Sequence, residues 1–279
     1  MDANKQVALF VTCLVDQVMP EVGVSAVRLL RRAGYEVTFP QAQTCCGQPF
    51  FNSGFREEAR RLARQTVDLL ADETAVILPS GSCTAMIRLE YPHLLADEPG
   101  YYYRALRLAR KTYELSEFLS REPYSEGVQQ PTQADEQQAT DNRQQTTDNE
   151  QRITDNGIRN TEYGQRNTDN LVTYHDSCHM CRLLGLRDEP RQVLNRAGYA
   201  IEEMEESDRC CGFGGLFSVR MAEVANAMTA EKLRLAGETA VSTLITADPG
   251  CLLQLRGMLP EGSDLQVEHI AVALERATR

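Results

Sequence analysis

The sequence predicts an α/β protein made of two copies of one unit, each with a mostly parallel sheet of the Rossmann or flavodoxin-like kind. Three observations lead to this prediction. Short apolar runs alternate with longer stretches of helical periodicity. Two cysteine-rich segments share one internal spacing, and a polar stretch separates them. At 279 residues, of which 42% are apolar, the chain is long enough to build two ordinary cores.

The repeat is visible in the cysteine spacing. In both halves a single cysteine is followed by 31 residues, a cysteine pair, a gap of 36 or 39 residues and a last cysteine. RRAGYEV at 31–37 is similar to NRAGYAI at 195–201, and each segment lies shortly before the cysteine pair of its half. We therefore predict two repeats, at 1–121 and 171–279. The eight repeated positions are Cys13, Cys45, Cys46 and Cys83 in the first half and Cys178, Cys210, Cys211 and Cys251 in the second.

Each unit has the same predicted order of elements. The predicted strands are 7–12, 35–39 and 75–78 in the first half and 171–174, 199–203 and 241–246 in the second. The predicted helices are 21–33, 54–71, 188–197 and 217–236. Gly34 and Gly198 follow the first helix of each half, where a left-handed cap is expected. Strands that alternate with helices form parallel sheets, so the cysteines are expected just past the carboxyl ends of strands, where open α/β sheets bind ligands.

The stretch at 122–170 predicts a disordered polar linker. It has no Leu, Phe, Met, Cys or Lys, so it cannot bury enough apolar surface to offset the entropy of ordering. It repeats every seven residues, and four of its units begin with TDN. A coiled coil would need an apolar seam in such heptads, and none is present. We interpret the heptapeptide repeats as a spacer.

Composition narrows the class of function. The net charge is -11, and residues 122–170 contribute six of those negative charges, so the two repeats are only mildly acidic. No basic stripe with interleaved aromatic residues indicates nucleic-acid binding. No stretch has the roughly 20 apolar residues of a membrane span, and VALFVTCLV at 7–15 lacks the flanks of a signal peptide. We expect a cytoplasmic protein whose nine cysteines bind a metal or carry out redox chemistry.

The adjacent cysteines predict a metal centre in each half. Neighbouring side chains in an extended chain point in opposite directions, so both thiolates reach one centre only if the backbone turns sharply. Gly47 and Gly212 follow the pairs and permit such a turn, with amide N–H groups directed at sulfur. Four thiolates fit an iron–sulfur cluster or zinc. Structural zinc sites usually use CxxC knuckles, and neither adjacent cysteines nor ligands from three separate loops are typical of them, so we favour a cluster and keep zinc as the alternative.

Other residues near these cysteines are weaker candidates for a role in the metal centre. His175 and His179 flank Cys178, and each is a candidate to hydrogen-bond cluster sulfur or simply to satisfy backbone groups. Cys181 breaks the symmetry of the two halves, and we interpret it as a small, partly buried residue. No CxxCH haem motif and no GxGxxG motif after a strand is present, so the sequence shows no haem, flavin or nicotinamide site.

These motifs resemble those of the cysteine-rich CCG-domain family, and within it the lactate utilization protein A group. The resemblance covers both repeats and rests on TCLVDQ at 12–17, CCGQPFFNSG at 45–54, PSGSC at 79–83, HDSCHMCRLLG at 175–185 and CCGFGGLFSV at 210–219. It implies an iron–sulfur oxidoreductase component that works with a ferredoxin-type subunit and a third small subunit to oxidise L-lactate to pyruvate. This chain would then be the electron carrier rather than the subunit that binds the substrate.

The sequence departs from the family pattern at one position in each half. The full pattern ends in CxxC, and five cysteines hold a non-cubane cluster in the heterodisulfide reductase B subunit of this family. Here the first cysteine of that CxxC is Ser80 or Asp248. Four thiolates per half favour one 4Fe-4S cluster per repeat, with Asp248 starting the following helix or acting as an oxygen ligand. The alternative functions are a thiol–disulfide reductase subunit and a zinc-stabilised interaction scaffold.

Overall fold

A computed structural model describes residues 5–122 and 170–278 of the chain. Apart from Glu122 and Asn170, the predicted linker lies outside the described residues. The two described segments each form one α/β half, and each half has its own sheet. The domain boundaries at 121/122 and 170/171 stay a prediction.

The first half begins with a strand and alternates strands with helices. A π-helical turn at Met86–Glu90 continues from its fifth helix. Its strands are β1 (Gln6–Leu9), β2 (Glu36–Thr38), β3 (Val76–Leu78) and β4 (Thr112–Glu114). Its helices are α1 (Cys13–Val18), α2 (Pro20–Arg32), α3 (Gln48–Asn52), α4 (Arg56–Leu70), α5 (Gly81–Ala85), α6 (Tyr91–Leu94), α7 (Pro99–Arg110) and α8 (Leu115–Arg121).

The second half repeats this arrangement with fewer helices among its described residues. A π-helical turn at His179–Leu184 follows its first strand. Its strands are β5 (Leu171–His175), β6 (Ala200–Ile201), β7 (Thr243–Thr246) and β8 (Gln266–His269). Its helices are α9 (Asp188–Arg196), α10 (Leu216–Arg220), α11 (Ala222–Gly237), α12 (Pro249–Gly257) and α13 (Ile270–Ala277).

The two sheets have the same topology. The strand order is β2-β1-β3-β4 in the first half and β6-β5-β7-β8 in the second, and all neighbours are parallel. In register, Ala8 of β1 lies opposite Val76 of β3, and Thr173 of β5 lies opposite Leu244 of β7. Because the crossovers return each strand in the same direction, the loops after β1, β2 and β3 meet at one edge. The predicted fold class, two α/β repeats with parallel sheets, is confirmed.

Several predicted boundaries are wrong in detail. The strand predicted at 7–12 ends at Leu9, because Cys13 already begins α1. The helix predicted at 54–71 begins at Arg56 and is preceded by the separate helix α3. The helix predicted at 217–236 is interrupted at Met221, whose φ of -122° and ψ of 46° leave the helical region. The fourth strand of each half, β4 and β8, was not predicted. Gly34 and Gly198 have the left-handed φ values, 86° and 85°, that helix capping required.

The apolar core of the first half is continuous with that of the second. Alternate residues of β1 point to opposite faces, so Val7 and Leu9 pack in one cluster and Ala8 in another, together with Phe10, which follows the strand. The first of these clusters also contains the core of the second half, so the apolar interior is continuous between the halves. Helix α2 packs on α13, where Arg28 lies 3.4 Å from Glu275. This packing fixes how the cysteine-bearing edges of the two sheets face each other.

Candidate metal centre

The eight repeated cysteines lie on loops and helix starts that follow strands. In each half the first cysteine follows the first strand, the pair follows the second strand, and the last cysteine lies in the first turn of the helix after the third strand. All eight line a single cavity of about 160 Å³ between the halves. The sequence predicted one group of four sulfurs in each half, and the structure places both groups on one cavity. This shared cavity was not predicted.

In the first half the four sulfurs form two close pairs. The Sγ atoms of Cys13 and Cys45 are 3.7 Å apart, and those of Cys46 and Cys83 are 3.2 Å apart. Cys13 and Cys45 are partly exposed, whereas Cys46 and Cys83 are buried. The set therefore comes from three separate loops and has one side toward solvent and one toward the core.

In the second half the equivalent sulfurs are arranged in the same way. The Sγ atoms of Cys211 and Cys251 are 3.0 Å apart, and both residues are buried. Cys178 and Cys210 are partly exposed, and their thiol groups are hydrogen-bonded to each other. All nine cysteines, which belong to the described residues, are free thiols. Each half thus presents four soft sulfur donors, a set that fits an iron–sulfur cluster and also zinc.

The glycine after each cysteine pair makes the turn that the sequence predicted. Gly47 has a φ of 87° and Gly212 a φ of 91°, a region that other residues rarely adopt. Their backbone N–H groups donate to the sulfurs of Cys45 and Cys210, at 3.5 and 3.4 Å. A Cβ atom on Gly212 would overlap the carbonyl oxygen of Ala225. The turn therefore brings both cysteines of a pair to the cavity and directs an amide at the first sulfur.

Hydrogen bonding selects one thiolate in each half. The pKa of Cys45 is lowered to about 3 by the hydrogen bond from Cys13, then by that from Cys46 and by the Gly47 amide, against an opposing effect of burial. The pKa of Cys210 is lowered in the same way, to about 2. Donating that hydrogen bond raises the pKa of Cys13 well above the ordinary thiol value, and burial adds to the increase. Each half thus has one preformed anionic sulfur for a metal.

Ser80 and Asp248, at the positions that lack the family's fifth cysteine, both cap helices. The Ser80 hydroxyl accepts a hydrogen bond from the Cys83 N–H at 3.3 Å, at the start of α5. One Asp248 carboxylate oxygen accepts from the Gly250 N–H at 3.0 Å, at the start of α12. The other accepts from the Ser82 N–H of the first half at 2.7 Å. Asp248 therefore caps the start of its helix, one of the two roles considered for it, and also joins the two halves beside the cavity.

His175 is buried against the second group of cysteines. Its side chain is 0% exposed, and neither ring nitrogen has a hydrogen-bond partner among the described residues. One ring nitrogen and the sulfurs of Cys211 and Cys251 all lie within 4.8 Å of one another, close enough to hold one metal ion together. Burial, followed by the nearby Lys232 ammonium, lowers the pKa of His175 to about 4, so the ring is neutral at pH 7.

His179 lies at the junction between the halves. Its Nε2 is 2.9 Å from the side-chain nitrogen of Gln48 in the first half, and its Nδ1 is 3.7 Å from the Cys178 sulfur. Gln48 also donates to the Ser82 carbonyl at 3.1 Å. By contrast, Cys181 is buried with its sulfur 4.0 Å from the Asp176 carbonyl, and it is absent from the cavity lining. It is the small buried residue that we expected.

Some residues near the site were not predicted. Lys232 is 0% exposed and donates to the carbonyls of Glu206 and Ser207, at 2.7 and 3.1 Å. Hydroxyls of Tyr91 and Thr229 donate to the carbonyls of Cys46 and Cys211, at 2.8 and 2.7 Å. A lysine, a tyrosine and a threonine within helical segments give no sequence signal for such roles, because each depends on long-range packing.

None of the helices in the described segments is long and apolar enough to span a bilayer.

Comparison with known proteins identifies relatives along nearly the whole chain. The sequence profile of the CCG cysteine-rich domain matches residues 7–88 and 172–256. The chain is 38% identical over 276 residues to lactate utilization protein A of Halalkalibacterium halodurans, covering 98% of each. It is 39% identical over 271 residues to the proteins of that name from Bacillus subtilis and Geobacillus kaustophilus, covering 96% of this chain and 98% of each relative.

The fold is also found among solved structures. A crystal structure of a hypothetical protein from Helicobacter pylori superposes with a TM-score of 0.65 and 11% sequence identity. The match covers 99% of this chain and 49% of that longer chain. At this identity the similarity supports the architecture of the two halves and nothing about chemistry.

Proposed function

The chain belongs to the cysteine-rich CCG-domain family, and we propose that it is the iron–sulfur electron-transfer subunit of a cytoplasmic system that oxidises L-lactate or a related 2-hydroxy acid to the 2-oxo acid, pyruvate for lactate. The observation that carries this proposal is the arrangement of eight free thiols, four from each half, around one cavity. The relatives named for lactate utilization support the choice of substrate class.

In this proposal each half holds one 4Fe-4S cluster with its own cysteines. When bound, such a cluster supplies reversible one-electron transfer. The first half would use Cys13, Cys45, Cys46 and Cys83, and the second Cys178, Cys210, Cys211 and Cys251.

The protein's own groups would set the properties of these sites. Anionic sulfurs at Cys45 and Cys210 initiate metal binding, and the amides of Gly47 and Gly212 donate to them. Burial of the inner cysteine of each pair, Cys46 or Cys211 at 2% or 3% exposure, keeps water from that side of the site. Water exclusion and amide donors are the means by which a protein adjusts the potential of bound clusters.

We propose that substrate oxidation takes place in an assembled complex. A ferredoxin-type iron–sulfur subunit and a third small subunit would work with this chain, which would relay electrons through its two centres. A 2-hydroxy acid gives up two electrons when it becomes a 2-oxo acid, and two one-electron centres on one chain match that number.

The test is anaerobic purification of the full chain, followed by iron and acid-labile sulfide analysis and an absorption spectrum. We expect about eight iron and eight sulfide per chain if each half holds a four-iron cluster. Zinc without iron or sulfide would overturn the proposal in favour of a scaffold. Retention of thiol–disulfide exchange activity by the metal-free protein, with no effect of restoring iron, would favour the reductase alternative instead.

A further inference from the structure

His175 is a buried histidine whose ring makes no hydrogen bond to the described residues. It lies at the end of β5, with both ring nitrogens enclosed and unpaired among the described residues. A neutral imidazole has one N–H donor and one acceptor nitrogen. Buried polar groups are nearly always hydrogen-bonded, so an enclosed ring without partners indicates that something absent from the protein chain completes the site. One ring nitrogen lies within 4.8 Å of the sulfurs of Cys211 and Cys251, which line the cavity, whereas His175 itself is buried behind that lining.

The first half has no such group. Phe10 stands three residues before Cys13, as His175 stands three residues before Cys178. It is 0% exposed and packs in the apolar cluster of the first half. A phenyl ring has no N–H, so a centre bound in the first half has no equivalent donor at this position. The two sites have the same thiols and differ here in hydrogen bonding.

Two charged groups near the second site oppose each other. The Lys232 ammonium and the Asp248 carboxylate both act on the Cys251 thiol, the first lowering and the second raising its pKa. Their charges act on this thiol in opposite directions. His179 is a second imidazole at this site, with its Nδ1 3.7 Å from the Cys178 sulfur, but its other ring nitrogen is paired with Gln48. Of the two rings, His175 is the fully buried one with neither nitrogen paired among the described residues.

We propose that His175 donates its N–H to a sulfur of the centre held by the second half, and that this hydrogen bond gives that centre the higher reduction potential of the two. The inference rests on the proposed iron–sulfur function. Reduction adds negative charge to a cluster, and a donor to its sulfur stabilises the reduced form. His175 is therefore a tuning residue, neither a ligand nor a proton donor to substrate, and the second half is where an added electron is held more strongly.

The test is a redox titration of the anaerobic full-length protein, followed by electron paramagnetic resonance. For the native chain we expect two midpoint potentials. His175→Phe, which copies the first half, should lower the higher midpoint and leave the lower one in place. His175→Gln keeps an N–H donor and should retain more of the native value than His175→Phe. Phe10→His, the reciprocal change, should raise the lower midpoint.

Each other outcome has a definite meaning. A His175→Phe protein with native iron content and both midpoints unchanged overturns the inference and leaves the proposed function standing. Loss of half the iron from both His175 variants, or a strong coupling to directly bound nitrogen in the native spectrum, overturns it by making His175 a ligand. Native protein without iron and sulfide overturns the proposed function and this inference together.

Discussion

The two halves hold their thiols alike but surround them differently. In each half the first cysteine of the pair accepts a hydrogen bond from a left-handed glycine, and the carbonyl of the second accepts one from a buried hydroxyl, Tyr91 or Thr229. Around these shared features the side chains diverge. The first half places Phe10 where the second places His175, and Ser80 where the second places Asp248.

The helices that pack behind the two cysteine pairs, α4 and α11, also carry different buried side chains. Ala59 of α4 and Ala225 of α11 contact the equivalent glycines, and seven residues later the buried side chains are Thr66 and Lys232. Burial lowers the pKa of Lys232 to about 8, the largest of several opposing effects. The comparison teaches that ligand positions and the turn that presents them are constrained by the centre. The enclosing side chains are free to differ and so to make the two sites unequal.

The largest expected effect is the loss of one centre. We expect Cys46→Ser and Cys211→Ser each to remove about half of the iron and sulfide, because each cysteine is a buried member of its own set. The measurement is metal and sulfide content per chain after anaerobic purification. Cys181→Ser is the matched control, since that thiol is buried away from the cavity, and it should keep full content. Complete loss from either variant would show that the two sites are one unit.

A smaller effect separates the two glycine turns. Alanine at either position must adopt a positive φ, at a cost of about 1–2 kcal/mol. At Gly212 its Cβ would also overlap the Ala225 carbonyl, whereas at Gly47 the nearest atom, the Ala59 carbonyl oxygen, is 3.4 Å away. Overpacking adds about 1–3 kcal/mol. We therefore expect Gly212→Ala to lower the free energy of unfolding more than Gly47→Ala, as measured by denaturant titration. Equal losses would mean that the backbone near Ala225 relaxes freely.

The residues that cap the last helix of each half should make the free energy of unfolding depend on pH in opposite directions. Glu114 and His269 both lie at the end of the fourth strand and both cap the last helix. Burial raises the pKa of Glu114 to about 8 and lowers that of His269 to about 4. The folded state keeps the Glu114 proton that the unfolded chain releases, so this contribution to stability falls as pH rises from about 4.5 to 8. The His269 contribution falls as pH decreases from about 6.5 to 4.

Substitution with glutamine should remove each dependence separately. Relative to the native chain, Glu114→Gln should become more stable as pH rises toward 8, and His269→Gln as pH falls toward 4. The changes should be on the order of a few kcal/mol, at about 1.4 kcal/mol per pKa unit. Denaturant titrations across this pH range, taken as differences from the native chain, are the measurement. A pH-independent difference would show that the residue is not held in its neutral form.

Much of this architecture could be predicted from local patterns. Alternating apolar runs and helical periodicity identified the α/β class, and the cysteine spacing identified the repeat and the eight thiols. Strands β4 and β8 were missed because their sequences, TYE and QVEH, include charged or polar residues such as Glu114 and His269 and form no apolar run. The break at Met221 was missed because it lies inside one continuous helical pattern.

The common cavity could not be predicted, because it depends on how the halves pack. The contacts that determine it join residues far apart in sequence, such as Asp248 with Ser82 and His179 with Gln48. The burial of Lys232 also depends on residues distant in sequence, because its ammonium donates to the carbonyls of Glu206 and Ser207. Sequence spacing locates ligands on each repeat, whereas tertiary packing decides what surrounds them.

The smallest expected effect concerns the segment between the halves. Residues 122–170 contain no cysteine and no Leu, Phe, Met or Lys, so they offer neither a thiol ligand nor enough apolar surface to extend a core. Replacing 128–168 with a Gly/Ser sequence of equal length should leave iron content, sulfide content and both midpoint potentials unchanged. Equal length keeps the reach of the connection, so only the side chains are tested. A large loss of iron would instead assign this segment a part in assembling the centres, and the view that each half supplies all the ligands of its own centre would fail.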